Sequence, residues 1–320
     1  MAQVTFQKPA VTVICTILQE KETVLSLLQH LDNQRYLPKK VIIADGGSTQ
    51  PIWQYLTALE KKKWNFELQI VQKKGNRSVG RNHALAMTKT DLVAITDAGC
   101  LPEMNWLQAL VEKQLQSQAP VIAGYYQGLA ESGFQEAMIP YALVMPDKVD
   151  PENFLPATRS MLLQKQVWEQ LGGFNEALSD NEDYAFARHL LKEQVPIVFA
   201  QEAIVQWQPR TSLPSFAKMI FRFARGDAFS GIIRPKVVFL FGRYATIILL
   251  VFTLGTMGYT NQVFWIAQGG LVLYLTWTIV KNYRYCPNSW YWLPVLQLVA
   301  DAMVISGSLI GWWNRYAAKR

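Results

Sequence analysis

The chain has little of what builds covalently stapled or metal-stapled folds. Of its 320 residues only three are cysteines, Cys15, Cys100 and Cys286, and only three are histidines, His30, His83 and His189. The cysteines are odd in number, lie far apart and form no Cys-x-x-Cys pair. No signal-type segment stands ahead of residue 11. A disulfide framework is therefore not expected, and a reducing compartment is. The histidines stand singly, without His-Glu-x-x-His spacing, so a zinc site is not expected either. There is no internal repeat, no low-complexity tract, and no Gly-rich, Lys/Arg-containing loop near the N-terminus of the kind that cradles a triphosphate. Charge is scarce as well: 17% of residues are charged while half are hydrophobic.

That scarcity is uneven. Residues 1–210 read as an ordinary globular domain, whereas residues 237–320 are mostly apolar. The net charge of +7 admits nucleic acid or an anionic membrane surface as partner. Lys218, Arg222, Arg225, Arg234, Lys236 and Arg243 crowd just before the first long apolar segment, which favours the cytoplasmic face of a membrane (a bacterial-type inner or plasma membrane) and no nucleic acid. Three segments, 237–258, 262–280 and 291–313, have the length and composition of membrane spans. Arg243 sits near one end, where it can snorkel. Asp301 falls near the middle of the third segment, where a carboxylate is costly unless functional or buried against neighbours; a partly re-entrant third segment is the alternative. The excess of basic residues puts the chain before residue 237 and the Lys281–Arg284 loop on the cytoplasmic side. Three full spans then leave Arg315, Lys319 and Arg320 on the other side, against that bias. Residues 211–236 form an amphipathic stretch, with Phe216, Met219, Ile220, Phe223 and Ala224 on one face and Lys218, Arg222 and Arg225 toward the other. It reads as an interfacial helix, or more plainly as a surface helix docked on the domain.

Within residues 1–210 strands alternate with helices. Val11–Ile17, Val41–Ala44, Phe66–Val71 and Leu92–Thr96 read as strands, and Lys21–Leu31, Ile52–Lys62 and Val79–Thr88 as helices. Such alternation predicts an α/β fold with a mostly parallel sheet covered on both faces. Beyond Pro120 the pattern loosens: Val121–Gly124 and Pro196–Ala203 read as strands, Met161–Leu171 and Tyr184–Lys192 as helices. Ligands of parallel sheets bind beyond the carboxyl ends of the strands. Glu20, Asp45 and Asp97 all stand at or just past such ends.

Asp97-Ala98-Gly99 closes an apolar strand, and its carboxylate can meet Mg2+ or Mn2+ bridging two phosphates; alone it is equally a helix cap ahead of Pro102. In Asp45-Gly46-Gly47-Ser48 the glycines let backbone approach a ligand, and Asp45 can accept from a nucleobase N–H, although a plain turn gives the same pattern. Gly80-Arg81-Asn82 brings a cation to the same end of the sheet. Asp180, Glu182 and Asp183 repel one another, which raises a carboxyl pKa toward that of a usable base, but an acidic helix start also suits the macrodipole.

The order of these elements resembles the family 2 glycosyltransferases, inverting enzymes of the GT-A fold, over about residues 11–230. Val13 to Glu20 is similar to the family's first strand and nucleotide contact, with Gln19-Glu20 in place of Asn-Glu. Asp45-Gly46-Gly47-Ser48 is similar to its base-holding turn, Arg81-Asn82 to its Arg-Asn element near the diphosphate, and Asp97-Ala98-Gly99 to its Asp-x-Asp. Gly172-Gly173-Phe174 followed by Glu182-Asp183 resembles its Gly-Gly-Phe and Glu-Asp elements, the Asp being the usual catalytic base. Two departures stand out. Gly99 takes the place of the second Asp, so a metal loses one protein carboxylate. Gln206-Trp207-Gln208-Pro209-Arg210 does not match the Gln-x-x-Arg-Trp of processive members, and the spans are too few for a polymer channel.

The resemblance implies a hexosyltransferase-like enzyme. A UDP or GDP sugar would lie across Glu20, Asp45, Gly46, Arg81 and Asp97, with Mg2+ or Mn2+ on Asp97. Asp183, beside Glu182, would be the base. Gly173, Arg210, Arg222 and Arg225 would lie toward the acceptor or a phosphate, and the acceptor would be a lipid or membrane-associated hydroxyl. Two other readings compete: a degenerate membrane scaffold that binds sugar nucleotide, suggested by Gly99, and a sugar nucleotidyltransferase, which the missing triphosphate loop disfavours.

Overall fold

A computed structural model describes residues 8–318, so Lys319 and Arg320 of the topology argument lie outside the described residues. The chain divides into two compact units. One comprises residues 1–128 and 145–208, the other residues 129–144 and 209–320.

The first unit is built on an eight-stranded sheet. Its strands are β1 (Val11–Ile17), β2 (Lys40–Asp45), β3 (Glu67–Gln72), β4 (Leu92–Ile95), β5 (Cys100–Pro102), β6 (Val121–Gly128), β7 (Met161–Gln164) and β8 (Ile197–Trp207). They lie in the order β3-β2-β1-β4-β7-β6-β8-β5. The half from β3 to β4 is parallel throughout, with Val13 paired to Val41 on one side and to Ala94 on the other. Helices α1 (Glu22–Asp32), α2 (Gln50–Glu60) and α3 (Arg77–Met87) connect these strands, as the alternation predicts. Parallel strands buried on both faces must be apolar throughout, and Val11, Val13, Ile14, Val41, Ile42, Ile43, Val93, Ala94 and Ile95 are fully buried. Gly80 permits α3 to lie close on β1, since a Cβ there would stand 2.9 Å from the Thr16 methyl.

The other half of the sheet differs from the sequence reading. Met161–Leu171 is not one helix. Met161–Gln164 is strand β7, antiparallel to both β4 and β6, and helix α6 begins only at Lys165. Met161, Leu162 and Leu163 are buried on both faces between two strands, and so short an apolar run carries no period that separates strand from helix. Pro102 does not open a helix either: it ends β5, which pairs antiparallel with β8, and α4 (Trp106–Ser117) starts four residues later. Helix α7 (Glu182–Lys192) follows α6 (Lys165–Gln170).

The second unit is helical: α5 (Gly133–Ala142), α8 (Leu213–Ser230), α9 (Pro235–Thr256), α10 (Thr260–Asn282) and α11 (Leu293–Ala317). Three stretches, Pro235–Thr256, Asn261–Tyr285 and Trp290–Ala317, are long and apolar enough to cross a membrane. Along α9 and α10 large apolar side chains such as Ile248, Phe252, Trp265 and Leu273 are exposed. The apolar face of α8 is covered instead: Phe216, Met219, Ile220 and Ala224 are buried, and the helix packs along α11. Gly307 and Gly311, one turn apart, set that contact. A Cβ on either would stand 2.5 Å or 2.4 Å from the carbonyl oxygens of Phe221 and Arg225. Small residues at this spacing let helix backbones approach closely.

Arg243 does not snorkel, contrary to expectation. Its guanidinium donates to Asp301 and lies over the rings of Tyr244, Tyr274 and Trp277. Asp301 also accepts from Tyr244 Oη at 3.0 Å, Tyr274 Oη at 2.8 Å and Gln297 Nε2 at 2.8 Å. A carboxylate among apolar helices needs every lone pair filled, and this one draws donors from α9, α10 and α11. It also gives Arg243 a nearer counter-charge than a headgroup.

Gly311→Val forces α8 away from α11. Overpacking of this kind costs roughly 1–3 kcal/mol, so the detergent-purified variant is expected to unfold at lower temperature. A disulfide engineered between α8 and α11 should form in the parent chain and fail in the variant, as read by gel mobility.

Candidate active site

At the carboxyl ends of β1, β2 and β3 the turns are tied together. Asp45 is fully buried; it accepts from the Ser48 amide at 2.9 Å, from Ser48 Oγ at 2.5 Å and from Gln72 Nε2 at 2.7 Å. Its carboxylate therefore orders the Gly46-Gly47 turn from inside. Ser48 Oγ in turn accepts from the Gln19 amide at 2.7 Å, which holds Gln19 in the left-handed region at φ 58°, a conformation that a non-glycine residue adopts only when its surroundings fix it. Glu20 follows, two residues ahead of α1, and its carboxylate accepts from Thr23 Oγ1 at 2.5 Å. The Gly46 amide donates to Ile17 O at 2.8 Å, and a Cβ on Gly46 would stand 3.1 Å from Gly75 O.

Arg81, on α3, is the centre of the site. Its side chain is 1% exposed, and it bridges three elements. Nη1 donates to Glu182 at 2.5 Å, while Nη2 donates to Asp97 at 2.9 Å and to Thr158 Oγ1 at 2.9 Å. The guanidinium also lies over the Phe174 ring. Burial alone would lower its pKa, but Glu182 and Asp97 outweigh that and hold it charged. Asp97 experiences the converse: burial pushes its carboxyl up, and Arg81, Arg77 and Arg159 together bring it below the ordinary carboxylate range. Glu182 Oε2 and Arg81 Nε are buried without a partner among the described residues.

Glu182 and Asp183 open α7, where the macrodipole favours acids. Successive helix residues point about 100° apart, so the two carboxylates have different surroundings. Glu182 is buried against Arg81. Asp183 is half-buried, its Oδ1 accepting from the Tyr184 amide at 2.8 Å. Burial, and then the charge of Glu182, raise the Asp183 pKa, with Arg159 and Arg81 opposing.

The Gly172-Gly173-Phe174 turn is clamped by Asn82. Asn82 Oδ1 accepts from the Phe174 amide at 2.8 Å and from Trp168 Nε1 at 3.0 Å, and Nδ2 donates to Phe174 O at 2.8 Å. Gly173 has φ 81°, and a Cβ there would stand 2.7 Å from Asn82 Oδ1, so only glycine fits. Arg81 and Asn82, adjacent on α3, thus hold the two sequence elements that lie about a hundred residues further on.

Residues 12–169 match the family described as Glycosyl transferase family 2. The chain carries a family 2 glycosyltransferase domain. Glycosyltransferase AglE of Haloferax volcanii is 20% identical over 224 residues, covering 68% of this chain and 73% of AglE. Glycosyltransferase GlyG of Streptococcus pneumoniae serotype 4 is 20% identical over 122 residues, 38% of this chain and 40% of GlyG. Among solved structures, the mannosyltransferase PcManGT of Pyrobaculum calidifontis, solved with GDP-Man and Mn2+, superposes with a TM-score of 0.65 at 16% identity over 97% of this chain and 89% of that one. GalNAc-T7 with UDP, GalNAc and Mn2+ gives 0.52 at 12% identity, over 68% of this chain and 48% of that one. The fold is GT-A.

In this glycosyltransferase the structure brings Arg81, Asp97 and Glu182 into contact, with Asp183 beside them. Asp45 is locked in its turn, while Arg210, Arg222 and Arg225 belong to the helical unit. Sequence reasoning missed Thr158, which ties Arg81 to the segment entering β7, and Arg159, whose field reaches both Asp97 and Asp183. Neither stands in a recognisable motif; the one available signal was a lone cation in an otherwise uncharged stretch, 154–164.

Removing one partner of a buried ion pair leaves an uncompensated charge at a cost of roughly 3–5 kcal/mol. Arg81→Gln is expected to lose about that much stability in chemical unfolding, and Arg81→Gln with Glu182→Gln to recover most of it.

Proposed function

We propose that this chain is a membrane-anchored, inverting glycosyltransferase that moves a sugar from a nucleoside diphosphate sugar of the UDP or GDP type to a hydroxyl on a lipid or membrane-associated acceptor. The observation that carries this reading is the division of labour at the start of α7. Arg81 neutralises Glu182, which leaves Asp183 as the half-exposed carboxylate with a raised pKa. A general base needs a pKa nearer the working pH than an ordinary carboxylate offers.

Asp183 removes the proton of the acceptor hydroxyl. That oxygen bonds to the anomeric carbon from the face opposite the diphosphate, the bond to the diphosphate oxygen breaks, and the nucleoside diphosphate departs. Asp45 and Gln19 keep the nucleotide-side turns in place, and Glu20 lies beside them. Arg77, exposed at the first turn of α3, faces the field of Asp97 and lends its charge, with that helix terminus, to the diphosphate. Arg81 positions Asp97 and Glu182.

A divalent cation fits one protein carboxylate. Asp97 is about one-third exposed, with Oδ1 engaged by Arg81 and Oδ2 without a partner among the described residues. No group of three His, Cys, Asp or Glu side chains is placed to hold a metal among those residues. Mg2+ and Mn2+ suit such a site because they take one or two carboxylates and fill their coordination with substrate phosphates and water. PcManGT and GalNAc-T7, both solved with Mn2+, support the same assignment. When bound, the cation offsets the charge that develops on the leaving diphosphate.

Anchoring rests on the three apolar helices and the lipid-type exposure of α9 and α10. The basic residues before 237 support a cytoplasmic side for the catalytic unit.

Asp183→Asn is expected to lower transfer by about 10^2–10^4-fold while donor binding stays nearly intact; equal loss of both would remove Asp183 from the role of base. Since the base must be deprotonated, kcat/KM should fall with decreasing pH through a limb that lies above the ordinary aspartate value of 3.8. Gly99 has open space where its Cβ would stand, so Gly99→Asp is expected to fold normally. It should tighten Mn2+ binding in the presence of nucleoside diphosphate by on the order of tenfold, measured by titration calorimetry.

A further inference from the structure

Arg159 is held in place without being used by the protein. It lies on the segment entering β7, and its carbonyl accepts from Thr96 Oγ1 at 2.9 Å, which fixes its backbone to the end of β4. The guanidinium carbon stands 5.3 Å from the centre of the Tyr126 ring and 5.5 Å from that of Trp207. Those rings belong to β6 and β8, adjacent parallel strands on which Tyr126 is paired to Val205 and Gly128 to Trp207. Two aromatic faces hold a guanidinium in orientation without consuming its N–H donors. Among the described residues no side chain or carbonyl accepts a hydrogen bond from those donors. The side chain is only half-buried, so they remain open to a ligand.

Its electrostatic position is equally specific. Arg159 is raised in pKa, burial being outweighed by Tyr126 first and then by groups that include Asp183 and Asp97. It therefore lies within electrostatic reach of the carboxylate assigned to the metal and of the one assigned to the base, yet forms an ion pair with neither among the described residues. A half-buried, pre-oriented guanidinium with a free fork is matched to the bidentate geometry of a phosphate or other oxyanion.

We propose that Arg159, seated on Tyr126 and Trp207, is a phosphate-receiving residue that holds a phosphoryl oxygen at the end of the sheet shared with Asp97 and Asp183. This rests on the glycosyltransferase reading given above and adds to it a residue outside the family-type elements. The phosphate belongs either to the donor's diphosphate or to a phosphate carried by the acceptor.

The test is binding rather than turnover. Detergent-purified full chain with Mg2+ is titrated with UDP and GDP, and then, loaded with the preferred nucleotide, with orthophosphate. A charge-assisted hydrogen bond to phosphate is worth enough that its loss weakens binding roughly tenfold or more. If Arg159→Gln weakens nucleoside diphosphate binding by that factor, the donor is the source. If nucleotide binding is unchanged and orthophosphate binding to the loaded protein is lost, the phosphate is the acceptor's. If both affinities survive in a folded Arg159→Gln protein, the proposal is overturned. Should that variant fail to fold, Arg159→Lys, which keeps the charge and loses the fork, decides. A drop of roughly threefold or more in either affinity supports the role, and parent-like affinity for both ligands overturns it. Because neither titration requires transfer, the result stands apart from the Asp183→Asn experiment. An Arg159 effect with no detectable transfer counts against the enzyme reading and not against the phosphate site.

Discussion

The catalytic unit depends on one buried guanidinium. Arg81 joins α3 to the end of β4 through Asp97, to the start of α7 through Glu182 and to the entry of β7 through Thr158. These elements are separated by up to about a hundred residues and have no sequential reason to meet. A charge buried to this degree is tolerable only when its donors are met by acceptors in fixed geometry. The same requirement that prevents Arg81 from being left alone therefore sets where Asp97 and α7 must stand. Among the described residues Glu182 Oε2 and Arg81 Nε have no partner, a pattern common where a site serves a ligand.

The neighbouring residue on α3 applies the same logic to backbone. Asn82 satisfies both the amide and the carbonyl of Phe174 and leaves room for no side chain at Gly173. The Gly-Gly-Phe turn is thereby fixed in height relative to α3. Phe174 closes the arrangement by lying under Arg81 and stacking on Phe186 of α7, with ring centres 4.3 Å apart. One turn of α3 thus positions Asp97, the acidic pair and the turn before it.

How much of this was legible from sequence follows from the range of each signal. The parallel half of the sheet was readable because Val11–Ile17, Val41–Ala44 and Leu92–Thr96 are apolar runs punctuated by Pro9, Asp45 and Asp97, and local punctuation is written in adjacent residues. The antiparallel half was not. Met161-Leu162-Leu163 is equally apolar as strand or helix, and its pairing with β4 and β6 is decided by residues 40 to 70 positions away. Among the site residues, motif order singled out Arg81, Asp97, Glu182 and Asp183. It did not reveal that Glu182 is spent on Arg81, that Asp45 faces inward to Ser48 and Gln72, or that Arg159 rests on two rings. Each of these is a statement about what fills the space next to a side chain. In the helical unit, composition gave three apolar segments and a costly Asp301. Only the packing shows that Arg243, Tyr244, Tyr274 and Gln297 converge on that carboxylate.

Charge balance gives the replacement at Gly99 a physical meaning. Arg77, Arg81 and Arg159 act on the Asp97 carboxylate, while the acids near them are Asp97, Glu182 and Asp183. The formal charges cancel. A nucleoside diphosphate sugar brings two negative charges and a divalent cation two positive ones, so the loaded site stays close to neutral. A second aspartate at position 99 would tip that balance toward negative, a state that favours the cation but repels the diphosphate unless the cation is already present. With glycine there, on the proposed reading, the arginines carry more of the attraction for phosphate and the cation is held chiefly through the substrate. On that reading, a single carboxylate already shared with Arg81 would be a weak metal ligand by itself, and metal and nucleotide would then enter together.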